Sequence, residues 1–299
     1  MSRFIRILVY TIGALALLLA VAATWVHFAS RARLDRMFAV TPRPVAIPTD
    51  AAALARGRHL AQTRGCSDCH GKDFAGNKVI EDGAMGRVHG PNLTRGKGGR
   101  VATWTDADWV RAIRHGVAPD GHALFLMPAE EYQFLSDEDL GALIGFLKSV
   151  PPVDRERVKI ELGPVARVLV ATDKIKLPAS VIDHPNVKPA AVTPGVTPEY
   201  GRYVAATCMG CHGPNFSGGK IEAGPPNWPE AANLTPHASG GVAKWNEADF
   251  LQAIRAGKRP DGSEINPIMP RVFAQMDDTE LKAIWAYLRT LPSVPKGVR

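Results

Sequence analysis

Hydrophobic positions are arranged in two different ways along this chain. From Ile7 to Val26 they form one uncharged, mostly apolar run. Beyond residue 50 they recur three and four apart, in short blocks separated by Gly- and Pro-rich stretches. The first pattern predicts a helix of roughly 30 Å, the thickness of a bilayer's hydrocarbon core. Arg3 and Arg6 precede it and Trp25 suits the far interface. Ala20–Ala22 would serve as a cleavage site in a secretory signal, but the apolar core is longer than such signals carry, which favours an anchor. Either way an exported chain is expected. Arg31, Arg33 and Arg36 follow the run, so charge does not orient it and orientation rests on the chemistry further along.

The second pattern predicts amphipathic helices in matched pairs. Thr105 caps a helix with Trp109 and Ile113 on one face and Gly116 at its end; Asn246, Phe250, Ile254 and Gly257 repeat the arrangement. Ser136 caps another with Leu140, Leu143, Ile144 and Leu147, matched after Asp277 or Asp278 by Leu281, Ile284, Trp285 and Leu288. Shorter helices are expected around Leu54, Gly57 and Leu60 and around Tyr200, Gly201 and Val204, their glycines allowing close helix packing. The pairing extends to the letters. Asn92-Leu93-Thr94 recurs as Asn233-Leu234-Thr235, and "WTDADWVRAIRHGVAPDG" from Trp104 as "WNEADFLQAIRAGKRPDG" from Trp245. From the cysteines onward the offset between the copies stays constant to within a single position, which marks a duplicated domain rather than a solenoid.

This divides the chain into an N-terminal anchor and juxtamembrane segment (1–40), a first domain (41–153), a Pro-rich linker (154–198) and a second domain (199–299). Within the linker "VKPAAVTPGVTPE" reads as extended, while "GPVARVLVATDKIKL" is apolar enough to pack on a domain. Outside the predicted helices each domain is Gly/Pro-rich loop. The apolar core is small for that much irregular chain, so something other than side chains is expected to fill the middle.

The net charge of +7 raises nucleic-acid binding, and its distribution removes it. Residues 1–40 carry +4, 41–150 carry 0, 151–198 carry +2 and 199–299 carry +1. Neither domain has the excess that a basic binding face requires, so no nucleic-acid partner is expected.

Only four cysteines occur, at Cys66 and Cys69 ("CSDCH") and at Cys208 and Cys211 ("CMGCH"). A redox dithiol would want a βαβ context, which the pattern lacks. A four-cysteine zinc site would bridge two domains and leave His70 and His212 unexplained. Covalent heme attachment explains every residue of both motifs. Two thiols add to the two vinyl groups on one macrocycle edge, and the next histidine lies below the porphyrin, where it binds iron. For the opposite axial position, Met127 follows His70 at the same distance along the chain as Met269 follows His212. Each precedes a proline, which disfavours helix at the methionine and suits an extended loop. Met85 and Met276 have Asn227 and Leu135 at the corresponding places, so neither is matched. Trp104 and Trp245 fit either a heme pocket or simple core packing. The Asn-Leu-Thr tripeptides match a glycosylation sequon but read better as a repeated turn. His59, His89, His115, His122, His184 and His237 have no repeated counterpart and are expected on surfaces or loops.

On these motifs the chain resembles class I c-type cytochromes over about residues 50–150 and 199–295. "PNLT", "ANLT" and the "W…RxG…PDG…MP" run make it similar to the membrane-associated cytochrome subunits of bacterial alcohol and gluconate dehydrogenases. It differs from those subunits in carrying two heme motifs where they typically carry three, and in having its hydrophobic segment at the N-terminus. The resemblance implies a mainly α fold, with two tandem class I cytochrome c domains after a transmembrane helix. It also implies two covalently bound heme c groups on Cys66, Cys69, Cys208 and Cys211, with His70, Met127, His212 and Met269 on iron. The function implied is single-electron transfer between a membrane-bound donor and a periplasmic or oxidase acceptor. Its partners would be a dehydrogenase, a quinol-oxidising complex or a terminal oxidase, with the heme domains facing the periplasm from a bacterial cytoplasmic membrane. The competing reading is a diheme enzyme of peroxidase or thiosulfate-oxidising type. A peroxidase needs a displaceable ligand where both halves offer methionine, and a thiosulfate-oxidising site would want a further cysteine, which the chain lacks.

Overall fold

Helix boundaries fall where capping chemistry places them. The computed structural model describes residues 2–221, 224, 227–238 and 240–298. Helix α1 (Arg3–Leu34) contains the apolar run and extends well past it. In the first half follow α2 (Ala51–Thr63), α3 (Cys66–His70), α4 (Asp106–His115), α5 (Ala129–Tyr132) and α6 (Asp137–Ser149). After α7 (Pro164–Ala171) the second half contributes α8 (Pro198–Ala205), α9 (Met209–His212), α10 (Glu247–Ala256) and α11 (Asp278–Leu288). Thr105, Asn246 and Asp277 each close a capping box, and Gly116 and Gly257 end their helices in the left-handed conformation.

Each half is organised on one helix pair, α2 against α6 and α8 against α11. The glycines that cost helix propensity make these pairs possible. A Cβ on Gly57 would overlap the Ala142 carbonyl, and one on Gly201 the Ala283 carbonyl. Around the pairs lies a core that includes Leu60, Leu140, Ile144, Val204, Leu281 and Leu288, all essentially inaccessible.

Two features depart from the sequence expectation. Residues expected as loop after the first motif form a hairpin, β1 (Asn77–Asp82) against β2 (Gly86–Gly90), with β3 (Glu161–Leu162) added to its edge. In the second half the described residues of the same region make an isolated bridge, Gly219 to Ala231. The segment between the halves is ordered as well: α7 starts with Pro164 at its first turn and packs on α1.

The halves meet across a reciprocal interface. Tyr203 of α8 donates a 2.6 Å hydrogen bond to Asp139 of α6, and His59 of α2 donates a 2.7 Å bond to Glu280 of α11. Asp139 and Glu280 hold corresponding places, three residues past the cap of the last helix. Arg56 adds two bonds to Asp139, 2.8 and 2.7 Å, and lies 3.6 Å from Glu280. This two-way exchange is the geometry of a pseudo-twofold contact between copies.

Candidate functional site

The first Cys-x-x-Cys-His forms the single turn α3 and the second a 3-10 turn, Ala206–Cys208, running into α9, each directed by the residues after it. Gly71 and Gly213 take φ of 79° and 78°, a conformation open to glycine, and reverse the chain behind the histidines. Phe74 and Phe216 then adopt φ of 56° and 61°, strained for an aromatic residue. The strain is held by two bonds repeated in both halves. Gly76 and Gly218 amides donate to the His70 and His212 carbonyls at 2.8 Å, and Leu93 and Leu234 amides to the Phe74 and Phe216 carbonyls at 2.8 Å.

The histidine rings are fixed in the same way. His70 Nδ1 lies 2.9 Å from the Pro91 carbonyl and His212 Nδ1 lies 2.8 Å from the Ala232 carbonyl. A carbonyl only accepts, so Nδ1 carries the proton and Nε2 keeps its lone pair. Burial pulls both rings below the ordinary histidine pKa, keeping them neutral despite the carbonyl bond. Both carbonyls immediately precede the Asn-Leu-Thr turns. Asn92 and Asn233 are buried and donate to the Val153 and Val294 carbonyls at 2.8 Å. The tripeptides are therefore internal brackets behind the histidines, as the turn reading expected.

No disulfide joins the four cysteines. Burial pushes Cys66 and Cys208 up to about 12, so both are neutral at physiological pH. In the second half Cys208, Cys211, His212, Trp245 and Met269 line one apolar cavity. A cavity with two thiols, an imidazole lone pair and a thioether on its wall fits a heme attached at one edge and bound on both faces. Met276 also lines it, but its first-half counterpart Leu135 is an equally buried core residue. In the first half Cys66, Trp104 and Met127 pack against the core, and Trp104 meets Trp109 edge-on at 5.3 Å. Both methionines lie outside helices, directly before their prolines, and Leu126 takes a left-handed φ of 59° just before Met127.

The interface brings the two motifs together. Helix α5, which follows Met127-Pro128, packs on the 3-10 turn Ala206–Cys208, and α2 packs on the 3-10 turn Arg271–Gln275, which follows Met269-Pro270. Arg64 is buried between them, its charge acting on both Cys66 and Cys208. Tyr132 donates a 2.7 Å bond to the Arg64 carbonyl. Glu131 reaches Gly210 inside the second motif, and burial reinforced by Glu130 pushes it up to about 8.

Sequence reasoning missed this contact. His59, expected on a surface or loop, bonds a fully buried glutamate in the other half, and no local signal links the two. A second correction concerns His115. It is 5% exposed, at the end of α4, with its Nδ1 3.2 Å from that of His184. An apolar helix face that ends in histidine was the available signal.

Comparison with known proteins defines the class. Residues 199–292 match the family described as Cytochrome c, and residues 52–147 the family described as Cytochrome C oxidase, cbb3-type, subunit III. Two cytochrome c domains, mainly helical and preceded by a long apolar helix, therefore make up the chain. Among curated proteins it is 28% identical over 270 residues to the fructose dehydrogenase cytochrome subunit of Gluconobacter japonicus, covering 82% of this chain and 55% of that one. It is 28% identical over 285 residues to the cytochrome c subunit of the quinone alcohol dehydrogenase of Gluconobacter oxydans, covering 83% and 56%. A diheme cytochrome c-type protein of Cereibacter sphaeroides is 27% identical over 264 residues, covering 80% and 86%. The chain thus spans little more than half the length of the first two relatives.

Proposed function

We propose that each half holds one heme c, attached through Cys66 and Cys69 in the first and Cys208 and Cys211 in the second. His70 and Met127 are the axial residues of one site, His212 and Met269 of the other. The protein relays single electrons from a membrane-bound dehydrogenase to a periplasmic or oxidase acceptor. Helix α1 anchors it with both domains on the periplasmic side. Bound heme supplies reversible one-electron exchange at iron.

The chain's own residues do the rest. Pro91 and Ala232 carbonyls fix the tautomer so that Nε2 is available, and burial keeps the imidazoles neutral. The Met-Pro loops present thioethers from outside the helices, and the apolar walls exclude water. With imidazole and thioether on both sides, no coordination position is left for a substrate, which favours a carrier over an enzyme. The observation that carries the reading is the reciprocal interface. Each segment after a Met-Pro packs against the other half beside its cysteine motif, so an electron entering one site has a short protein path to the next. Relatives named as cytochrome subunits of dehydrogenases support the donor class.

Full-length protein purified from detergent-solubilised membranes tests this. It is expected to co-purify with a dehydrogenase whose substrate reduces both hemes. A protein that turns over peroxide at a high-spin heme, and is not reduced by any co-purifying dehydrogenase, would contradict it.

A further inference from the structure

Helix α7 lies where α1 leaves its apolar run. Arg167 of α7 donates a 3.4 Å hydrogen bond to the Ser30 hydroxyl, and Asp173 pairs with Arg33. Both contacts join α7 and the turn after it to the part of α1 just beyond the apolar run. Ser30 follows Val26, the last residue of that run, by four positions, about 6 Å of helix rise. Ser30 is fully buried, and Val26, Ala29 and Leu34 are half-buried on the same face of an otherwise exposed helix.

The opposite face of α7 is apolar and uncovered. Ala166, Val170 and Ala171 turn inward, whereas Val165 is 46% and Val168 43% exposed, with Leu169 half-buried beside them. The start of this helix is pinned to the first domain. Gly163 and Val165 amides donate to the Met85 and Ala84 carbonyls at 3.0 Å, at the tip of the β1–β2 hairpin. The two segments carry Arg31, Arg33, Arg36, Arg167, Lys174 and Lys176 against Asp35 and Asp173.

We propose that the Val165–Val168 face of α7 lies in the surface of an anionic phospholipid bilayer, and so fixes the first domain against the membrane. An amphipathic face flanked by basic residues binds at the headgroup–acyl boundary, where its apolar side chains enter and its cations meet lipid phosphates. A helix docked within a turn of the membrane exit cannot avoid that layer. The anchor is then a rigid post with a foot, not a flexible tether. The inference rests on α1 spanning the bilayer, and the test separates the two.

Single nitroxide labels are placed on the full-length diheme protein at Leu18→Cys in α1, Val168→Cys in α7 and Glu247→Cys in α10. The protein is reconstituted in vesicles of phosphatidylethanolamine and phosphatidylglycerol. Collision with lipid-soluble oxygen and with a water-soluble nickel chelate is then measured. The expected result is a Leu18 label deep in lipid and a Val168 label that loses nickel collisions and gains oxygen collisions relative to Glu247. A Val168 label as open to nickel as Glu247, with Leu18 in lipid, overturns the inference and leaves the anchor standing. Shielding that appears only in native membranes assigns the face to a protein partner and also overturns it. A Leu18 label open to nickel removes the anchor and the inference together.

Discussion

Placed side by side, the two halves agree at the site and differ around it. Residues 52–147 and 199–292 repeat the helix pair, the left-handed glycine and phenylalanine behind the histidine, and the carbonyl on Nδ1. They diverge in what covers the loop after the motif. The first half has a hairpin extended by β3, whereas in the second the Gly297 amide donates to the Ser217 carbonyl at 3.1 Å. The difference teaches that the repeated part is what a covalently attached cofactor needs.

Breaking the reciprocal contact gives the largest effect on stability. Glu280→Ala leaves His59 and Arg56 facing a buried gap, and Asp139→Ala strips Arg56 and Tyr203 of their acceptor. Each is expected to cost about 3 kcal/mol in denaturant unfolding, since one member of a buried charged network is removed. Equal losses would confirm the pseudo-twofold, and a negligible loss in either would break it. Next come Gly57→Ala and Gly201→Ala, each driving a Cβ into a neighbouring helix carbonyl, at about 2 kcal/mol by the same measurement. A loss confined to one half would show that the pairs are not equivalent.

Asn92→Ala and Asn233→Ala should each cost about 1–2 kcal/mol, because a buried carbonyl and amide lose their partner. They should also loosen one imidazole only, seen as a changed spectrum for one heme of two. The smallest effect belongs to one half alone. His115 is held at about 4, by burial first and then by the charges of His184 and Arg114, against 6.5 when unfolded. Between those values the unfolded chain binds more protons, so stability falls as pH drops from 6.5 toward 4. His115→Gln should flatten that slope. The second half has Ala256 at the corresponding place, so it has no counterpart of this histidine.

Much of this arrangement was legible in the sequence because it is local or repeated. Thr105, Ser136 and Asn246 cap the helices expected of them, and Gly57 and Gly201 sit at the close approaches. The Cys-x-x-Cys-His motifs need only neighbouring residues, and Met127 and Met269 stand out by equal spacing. What stayed hidden depends on long-range partners. The β1–β2 hairpin is interrupted by glycine and loses the alternation that marks a strand. The first turn of α7 carries no capping side chain, and its packing partner around Ser30 lies on the far side of the whole first domain in the sequence. Tyr203 and Glu280 look like ordinary helix residues until the halves are brought together.

The central claim is that each half holds its own heme between an imidazole and a thioether. It is tested most directly by counting covalently bound heme per full-length chain, with near-infrared spectra of the oxidised protein. The prediction is two hemes, both low-spin with the methionine charge-transfer band, and loss of that band from one heme alone in Met127→Ala or Met269→Ala. A colourless chain, a single heme, or a band untouched by both substitutions would contradict it.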